Sequence, residues 1–217
     1  MISTKSEIRC ARCPLARRCW GSKPQAVEGI RGRPQSQLER GARLIRQGEA
    51  SRSVYLVVAG CLILRETTAE GTERTVGFRF PGEVVGLEGW ASGSQSFTAI
   101  ATDATSVCRV TMTPAGAGYC SAALLEQLLV KCTFRLERSE KLWRGLPAVE
   151  LVAAFLDDFA QRTHLSANVT DLRKLPMTRA DIGSCLGLAE ETVVRALTQL
   201  RSRRGAEIGG SRTATHA

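Results

Sequence analysis

Apolar positions in the middle of the chain fall into short runs separated by glycine and proline. This pattern is typical of β-strands joined by tight turns, and the spacing of the runs suits a barrel or a sandwich. The predicted strands are residues 56–64, 74–80, 83–90 and 106–112, with turns at Gly48, at residues 69–71 and at Pro81 and Gly82. We therefore expect a strand-rich domain between about residues 40 and 113.

Residues 121–144 show a different pattern, in which apolar side chains recur mostly at three- and four-residue steps. This spacing predicts one helix with a single apolar seam. At about 1.5 Å per residue the helix is roughly 36 Å long, which is enough for a coiled-coil contact with a second copy of the chain. The alternative is that the seam packs on the chain's own strand-rich domain. The seam residues are Leu124, Leu125, Leu128, Leu129, Cys132, Leu136, Leu142 and Trp143.

Gly145 and Pro147 interrupt the helical pattern, since glycine and proline are both poor helix formers. We place a domain boundary near Gly145. Beyond it, the pattern predicts a helix over residues 148–162, followed by a polar linker over residues 163–176.

Residues 177–200 contain two short amphipathic segments joined by a tight turn. Thr178 and Asp181 form a capping-box pattern, which predicts the start of the first helix. We expect this helix to end at Gly187 and Leu188 to anchor the turn in the core. The predicted buried face of the first helix consists of Ile182, Cys185 and Leu186.

The second segment is predicted to be a helix that begins at about Glu190. Its apolar positions define an inner face of Val193, Ala196, Leu197 and Leu200, which leaves Glu190, Glu191, Val194, Arg195 and Thr198 facing outward. A helix with this outer face suits the DNA major groove, where arginine matches the two acceptors of guanine and glutamate accepts from cytosine. The alternative is an ordinary helical hairpin with a solvated charged face.

The charge of the chain favours a polyanionic partner, but it is unevenly placed. The formal net charge is +9, from 30 basic and 21 acidic residues. Residues 1–34 have eight Lys and Arg against two Glu, whereas residues 177–217 have six Arg against four acids. The DNA prediction for the second helix therefore depends on groove geometry and not on local charge.

Composition narrows the class of protein. With 217 residues, 43% of them hydrophobic and 24% charged, the chain has room for two modest globular domains. It has no apolar run of membrane-spanning length and no signal peptide, so we expect a cytoplasmic protein without a membrane partner. An enzyme is not expected, because no nucleophile and base set, paired carboxylate or phosphate loop is present, and the only imidazoles are His164 and His216.

Three of the eight cysteines lie close together near the N-terminus. Cys10, Cys13 and Cys19 are crowded with arginines in the segment CARCPLARRCW. Nearby guanidinium groups lower the pKa of a thiol, and thiolates are the form that binds iron or zinc. A [4Fe-4S] cluster and an all-cysteine zinc site each need a fourth ligand, which must come from elsewhere in the fold. The alternative is three unligated thiols in a basic arm.

Several motifs together resemble the CRP/FNR family of bacterial transcription regulators, and in particular its oxygen-sensing iron-sulfur branch. The family's β-roll phrases are similar to GARLIRQG from Gly41 to Gly48, to VYLVVAG and to PGEVVG. The family's E-x-x-x-R recognition motif matches Glu191 and Arg195, and the segment MTRADIGSCLGL resembles the family's first reader helix. The three N-terminal cysteines resemble the branch's cluster ligands.

The resemblance implies an α+β fold with four parts. They are an N-terminal cluster-binding arm (1–34), a cyclic-nucleotide-binding-like β-roll (35–117), a long dimerisation helix (118–145) and a helix-turn-helix domain (146–217). It also implies that Cys108, in the late strand of the β-roll, is the fourth ligand of a [4Fe-4S] cluster. The implied partners are a two-fold-symmetric double-stranded DNA site, RNA polymerase and a second copy of the chain. The implied DNA-binding residues are Thr178, Arg179, Glu191, Thr192, Val194 and Arg195.

The sequence departs from the family at several positions. Cyclic-nucleotide binders of the superfamily carry a phosphate-binding arginine after the Gly-Glu motif, whereas this chain continues from Gly82 and Glu83 with VVGLEGWASGSQSFTAIA. Cyclic AMP is therefore not expected as an effector. Val194 stands where the branch usually has serine, which leaves one thymine of the branch's TTGAT half-site in doubt. Ala189 is a weak helix cap, and the tail after Gly205 is too short and glycine-rich for a convincing β-hairpin wing.

The expected function is a regulator whose cluster on Cys10, Cys13, Cys19 and Cys108 senses oxygen or nitric oxide and controls dimerisation and promoter binding. Two alternatives stay open. One is a zinc- or thiol-based redox regulator of the same fold, and the other is a small-effector-binding module with a degenerate DNA reader. The remaining cysteines, Cys61, Cys120, Cys132 and Cys185, are expected to be small packing residues.

Overall fold

The computed structural model describes residues 35–50, 53–111, 145–163 and 175–210. The chain divides into two compact units, Met1–Glu137 and Arg138–Ala217. The predicted N-terminal arm, the predicted dimerisation helix with Cys120 and Cys132, and most of the predicted linker lie outside the described residues. Among the helices that are described, none is long and apolar enough to cross a membrane.

The described part of the first unit consists of two four-stranded sheets in which all paired strands are antiparallel. The first sheet has the order β1-β8-β3-β6, and the second has the order β2-β7-β4-β5. The strands are β1 (Gln35–Leu38), β2 (Arg43–Ile45), β3 (Ser53–Ala59), β4 (Leu62–Thr67), β5 (Glu73–Arg79), β6 (Val84–Val85), β7 (Thr98–Ala101) and β8 (Thr105–Thr111). With the helices of the second unit, this arrangement confirms the predicted α+β fold class.

The core of this unit is apolar and includes residues of both sheets. Its buried members are Leu38, Ile45, Val57, Leu62, Leu64, Val85, Phe97, Ala99, Ala101 and Val107. Alternate residues of one strand point to opposite faces of a sheet, which explains why Val107 is completely buried while its neighbour Cys108 is only half-buried.

The prediction of one strand over residues 56–64 is wrong, because the segment contains two strands that belong to different sheets. Strand β3 ends at Ala59, Gly60 turns the chain with a φ of 84°, and β4 begins at Leu62. The chain is apolar and buried both before and after the turn, from Leu56 to Val58 and from Cys61 to Leu64, so hydrophobicity does not mark the break. Cys61 is buried, as expected, although it precedes β4 and is not itself part of a strand.

The prediction of a strand over residues 83–90 is also wrong beyond Val85. After β6, Gly86 adopts a φ of 94° and caps a short helix, α1 (Leu87–Ser92). The predicted strands over 74–80 and 106–112 are confirmed within one residue as β5 and β8. Strands β1, β2 and β7 were not predicted, because they are short and their pattern is weak without the strands that pair with them.

Replacing Gly60 by alanine is expected to destabilise the first unit by roughly 2 to 3 kcal/mol, because the left-handed conformation penalises a Cβ and the site is crowded. A Cβ at Gly60 would lie 2.6 Å from the carbonyl oxygen of Ala104. Gly71 is the matched control, because its φ is 81° and a Cβ there meets nothing within 4 Å. Urea unfolding followed by circular dichroism should show a larger loss for Gly60→Ala than for Gly71→Ala, and equal losses would contradict the role assigned to crowding.

The described part of the second unit has three helices, α2 (Ala148–Thr163), α3 (Arg179–Leu186) and α4 (Glu190–Gly210). Helix α2 confirms the predicted helix over residues 148–162. It buries Val152, Phe155, Phe159 and Ala160. Helix α4 packs against both α2 and α3, and Glu150 of α2 forms an ion pair of 3.7 Å with Arg203 of α4. The segment after Gly205 continues α4 to Gly210.

Candidate nucleic-acid interface and cysteine site

Helix α3 begins with the capping box that the sequence predicted. The Thr178 hydroxyl accepts a hydrogen bond from the backbone N–H of Asp181 at 3.1 Å, and Oδ2 of Asp181 accepts from the N–H of Thr178 at 3.0 Å. The two side chains also bond to each other, with the Thr178 hydroxyl donating to the carboxylate at 2.7 Å. The structure therefore gives Thr178 a capping role, and its contact with DNA stays a prediction.

The turn between α3 and α4 depends on a close backbone approach at Gly183. The backbone N–H groups of Gly187 and Leu188 both donate to the carbonyl of Gly183, the second at 2.8 Å. A Cβ on Gly183 would lie only 2.6 Å from the carbonyl oxygen of Leu188. Gly183 therefore allows the turn to pack against α3. Gly183 is not among the residues predicted from the sequence, although a glycine inside a helical pattern is itself a signal of close packing.

The prediction for α3 and for the turn after it is confirmed at the end of the helix, but the burial of these residues follows it only in part. Gly187 ends α3 in the left-handed conformation, with a φ of 69°. Ile182 is buried as predicted, whereas Cys185, Leu186 and Leu188 are half-buried.

The two faces of α4 are those that the sequence predicted. Val193, Ala196 and Leu197 are buried, and Leu200 is half-buried. The predicted outward residues are all exposed, and we call them the outer face of α4: Glu190, Glu191, Val194, Arg195 and Thr198.

One hydrogen bond involves the arginine of the outer face. Nη2 of Arg195 lies 3.4 Å from the hydroxyl oxygen of Thr192, to which it donates. This contact holds the guanidinium toward the N-terminal end of α4, which is the end that contacts base edges in helix-turn-helix proteins. Glu191 lies one turn before Arg195 on the same face. The pair can bind one G·C base pair, with the guanidinium donating to guanine and the carboxylate accepting from cytosine.

Thr192 and Arg179 also belong to the predicted DNA-binding set, but they are not part of the outer face of α4. Thr192 is half-buried and is the partner of Arg195, so the structure supports a positioning role for its hydroxyl. Arg179 is exposed at the first position of α3. A DNA contact by either residue stays a prediction.

Cys108 lies opposite the residue at which the first sheet begins. It belongs to the inner strand β8, where it pairs with Leu56 on one side and with Gln35 on the other. Gln35 is the first residue of β1, and Cys10, Cys13 and Cys19 precede it in the sequence. The Cys108 side chain is half-buried and its Sγ lies 3.9 Å from the carbonyl oxygen of Arg109.

The three other predicted ligands lie outside the described residues, so the structure does not bring the four cysteines together. Within residues 35–50, 53–111, 145–163 and 175–210, no three His, Cys, Asp or Glu side chains are grouped as metal ligands. The four-cysteine site stays a prediction.

The interior of the first unit is relevant to the prediction that cyclic AMP is not an effector. Phe97 lies in the segment where cyclic-nucleotide binders carry their phosphate-binding arginine, and its side chain is 5% exposed in the apolar core. This part of the chain also buries the polar residues Ser53, Thr75, Glu83, Gln95 and Thr105, but no lysine, arginine or histidine among the described residues is buried. An anionic phosphate in this interior would lose its hydration without gaining a cationic partner. The absence of a cyclic AMP response stays a prediction, and calorimetry with cyclic AMP tests it.

Both units match known domain models. A cyclic nucleotide-binding domain matches residues 35–113, and a Crp-like helix-turn-helix domain matches residues 151–213. The first match contains the two sheets and Cys108, and the second contains α3, α4 and α2 from residue 151 onward.

Similar proteins match this chain over most of its length. The chain is 31% identical over 211 residues to the transcriptional activator protein FnrA of Stutzerimonas stutzeri, which covers 92% of this chain and 85% of FnrA. It is 33% identical over 208 residues to the transcriptional activator protein anr of Pseudomonas aeruginosa, covering 90% and 83% of the two chains. The solved structure of FixK2 from Bradyrhizobium japonicum matches with a TM-score of 0.64 and 30% identity, over 78% of this chain and 84% of FixK2.

Proposed function

Because the chain belongs to the Crp/Fnr family of DNA-binding transcription regulators, we propose that it senses oxygen or nitric oxide through a [4Fe-4S] cluster. In this proposal the ligands are Cys10, Cys13, Cys19 and Cys108, and the regulator acts in the cytoplasm as a homodimer. The cluster controls dimerisation and binding to a two-fold-symmetric promoter site. At this site the dimer contacts RNA polymerase. The members of the family are transcription regulators and not enzymes.

The observation that carries the proposal is the pairing of Gln35 with Cys108. This register places the start of β1, which follows Cys19 by 16 residues in the sequence, opposite the cysteine of the β-roll that the resemblance names as a ligand. The half-buried Cys108 thiol lies on the opposite face of the sheet from the apolar core, because its neighbour Val107 belongs to that core. A ligand in this position is accessible without disruption of the core.

The donor set fits an iron-sulfur cluster. Four thiolates satisfy its ligand number, and Arg12, Arg17 and Arg18 stabilise the thiolate form of the N-terminal cysteines. When bound, the cluster supplies Fe–S bonds that oxidants can break. The chain's own part is to join residues 1–34 to β8 through Cys108 and so to support the apolar seam of residues 121–144 in the dimer.

Anaerobic purification with iron and sulfide analysis tests this proposal against the zinc- or thiol-based alternative. We expect a brown protein with iron and acid-labile sulfide in equal amounts. A colourless protein that contains zinc, or no metal, would favour the alternative. The described donor, Cys108, suits zinc as well as iron, so the metal content decides between the two.

On DNA, replacing Arg195 by alanine should weaken specific binding by roughly 1 to 3 kcal/mol and relax specificity at one base pair. The physical reason is the loss of the two hydrogen bonds that a guanidinium donates to guanine. Titration of the anaerobic protein with a specific and a random duplex measures the effect. The matched control is Arg201→Ala, which removes an exposed arginine six residues further along α4. Equal losses on both duplexes would instead assign Arg195 to phosphate contacts.

A further inference from the structure

The first unit contains a recess of about 390 Å³ that is bordered by residues 46–48 and by strands β2, β4, β5 and β7. Ala99 of β7 belongs to the apolar core, and successive residues of a strand point to opposite faces of the sheet. Ile100 and Arg43, its partner on β2, therefore lie on the outer face of the second sheet. The recess is on this outer face, so it is separate from the interior of the unit and from the first sheet, which contains Cys108.

Two arginines of the recess, Arg43 and Arg46, are available to bind an anion. Both residues are exposed, and neither forms an ion pair with any residue that the structure describes. Glu73 also lines the recess, but its carboxylate already forms an ion pair with Arg65, at 3.4 Å. The recess therefore presents two guanidinium groups that no carboxylate of the described residues neutralises.

Hydrogen bonds of Gln47 join the segment that carries Arg46 to β4 and β7. The Gln47 side-chain amide donates to the carbonyl oxygen of Thr67 at 2.9 Å, and its oxygen accepts from the backbone N–H of Thr67 at 2.6 Å. The backbone N–H of Gln47 donates to the hydroxyl of Thr98 at 3.1 Å. This hydroxyl accepts in that bond, so its own O–H can donate to a ligand. The recess is therefore formed before any ligand binds, and its lining adds a neutral donor to the two guanidinium groups.

We propose that this recess binds a small organic phosphate monoester through Arg43, Arg46 and the Thr98 hydroxyl. Its volume lies within the range of about 300 to 1,000 Å³ that is usual for small-molecule pockets. A phosphate monoester carries a charge of about −1.5 to −2 at pH 7, which two guanidinium groups match and which a single carboxylate lacks. The half-buried Ile100 offers an apolar contact to the organic part of the ligand. This site depends neither on the proposed cluster nor on the proposed DNA contact.

Isothermal titration calorimetry of the full-length chain, prepared without oxygen, tests the site with phenyl phosphate as the probe. We expect saturable binding of phenyl phosphate, weaker binding of inorganic phosphate, which has no organic part, and weaker binding of benzoate, which has a single charge. The affinity for phenyl phosphate should fall as the salt concentration rises, because salt screens exposed charges. Benzoate that binds as tightly as phenyl phosphate would overturn the proposal, as would the absence of binding at millimolar phenyl phosphate.

Three variants test whether the phosphate binds in the recess. Arg43→Gln and Arg46→Gln should each weaken the binding of phenyl phosphate by about tenfold, the effect of losing one hydrogen bond to a charged group. Both residues are exposed, so the fold should survive either change. The matched control, Arg40→Gln, removes an exposed arginine that does not line the recess and should keep the wild-type affinity. Unchanged affinity in both recess variants, or an equal loss in all three, would overturn the proposal, because binding would then occur elsewhere or depend only on net charge.

Discussion

Replacing Gly183 by alanine is expected to destabilise the helix-turn-helix and to weaken specific DNA binding by about tenfold or more, although alanine is intrinsically the better helix former by about 1 kcal/mol. The new Cβ would lie 2.6 Å from the carbonyl oxygen of Leu188, which belongs to the backbone and cannot rotate away. Relief of the overlap requires the turn to move away from α3. Overpacking of this kind costs about 1 to 3 kcal/mol, and it also displaces the start of α4 from the position set by α3.

Gly187→Ala is the matched control for this prediction. Gly187 has a φ of 69°, and a Cβ there meets nothing within 4 Å. Alanine at this position therefore loses about 1 kcal/mol of stability to the left-handed conformation, without steric overlap. Chemical unfolding measures the stability of both variants, and titration with a specific DNA duplex measures their affinity. A Gly183→Ala protein that is more stable than wild type and binds DNA normally would show that the turn has room for a side chain.

Replacing Cys108 by serine is expected to abolish the bound cluster and the anaerobic dimer together. Serine keeps the size of the side chain, but its hydroxyl stays protonated where a thiolate would bind iron. The fold itself should survive, because Cys108 is half-buried and lies outside the apolar core. Iron and sulfide analysis, and sedimentation under nitrogen and after exposure to air, measure the two losses. DNA affinity should fall with the dimer, since a two-fold-symmetric site is bound by two copies.

Cys61→Ser and Cys185→Ser are the controls for the cysteine prediction. Cys61 is buried and Cys185 is half-buried on α3, so serine at either position should lower stability while the cluster and the dimer persist. A Cys108→Ser protein that keeps iron, sulfide and the dimer would show that the fourth ligand is wrong. A wild-type protein that stays dimeric in air would contradict the proposed switch, whatever its ligands.

The sequence by itself predicted the parts of the molecule whose interactions are local. The capping box of Thr178 and Asp181, the end of α3 at Gly187 and the two faces of α4 all depend on residues within four positions of one another. Helix α2 was predicted within one residue for the same reason. The period of apolar positions then identifies the buried face, because that face must be apolar wherever the helix packs. The residues of α4 that are not on the buried face then form its outer face, so Glu191, Val194 and Arg195 could be predicted as exposed.

Only the tertiary structure decided the features that depend on residues far apart in the chain. Continuous apolar sequence across Gly60 concealed a change of sheet, because strands with two buried faces show no alternation to mark their ends. The pairing of Gln35 with Cys108 depends on strand register, which no local pattern encodes when β1 is a short polar segment. The constraint on Gly183 arises from the carbonyl of Leu188 across the turn. In each case the deciding contact forms only after two elements have packed together, so its physical cause is absent from either element alone.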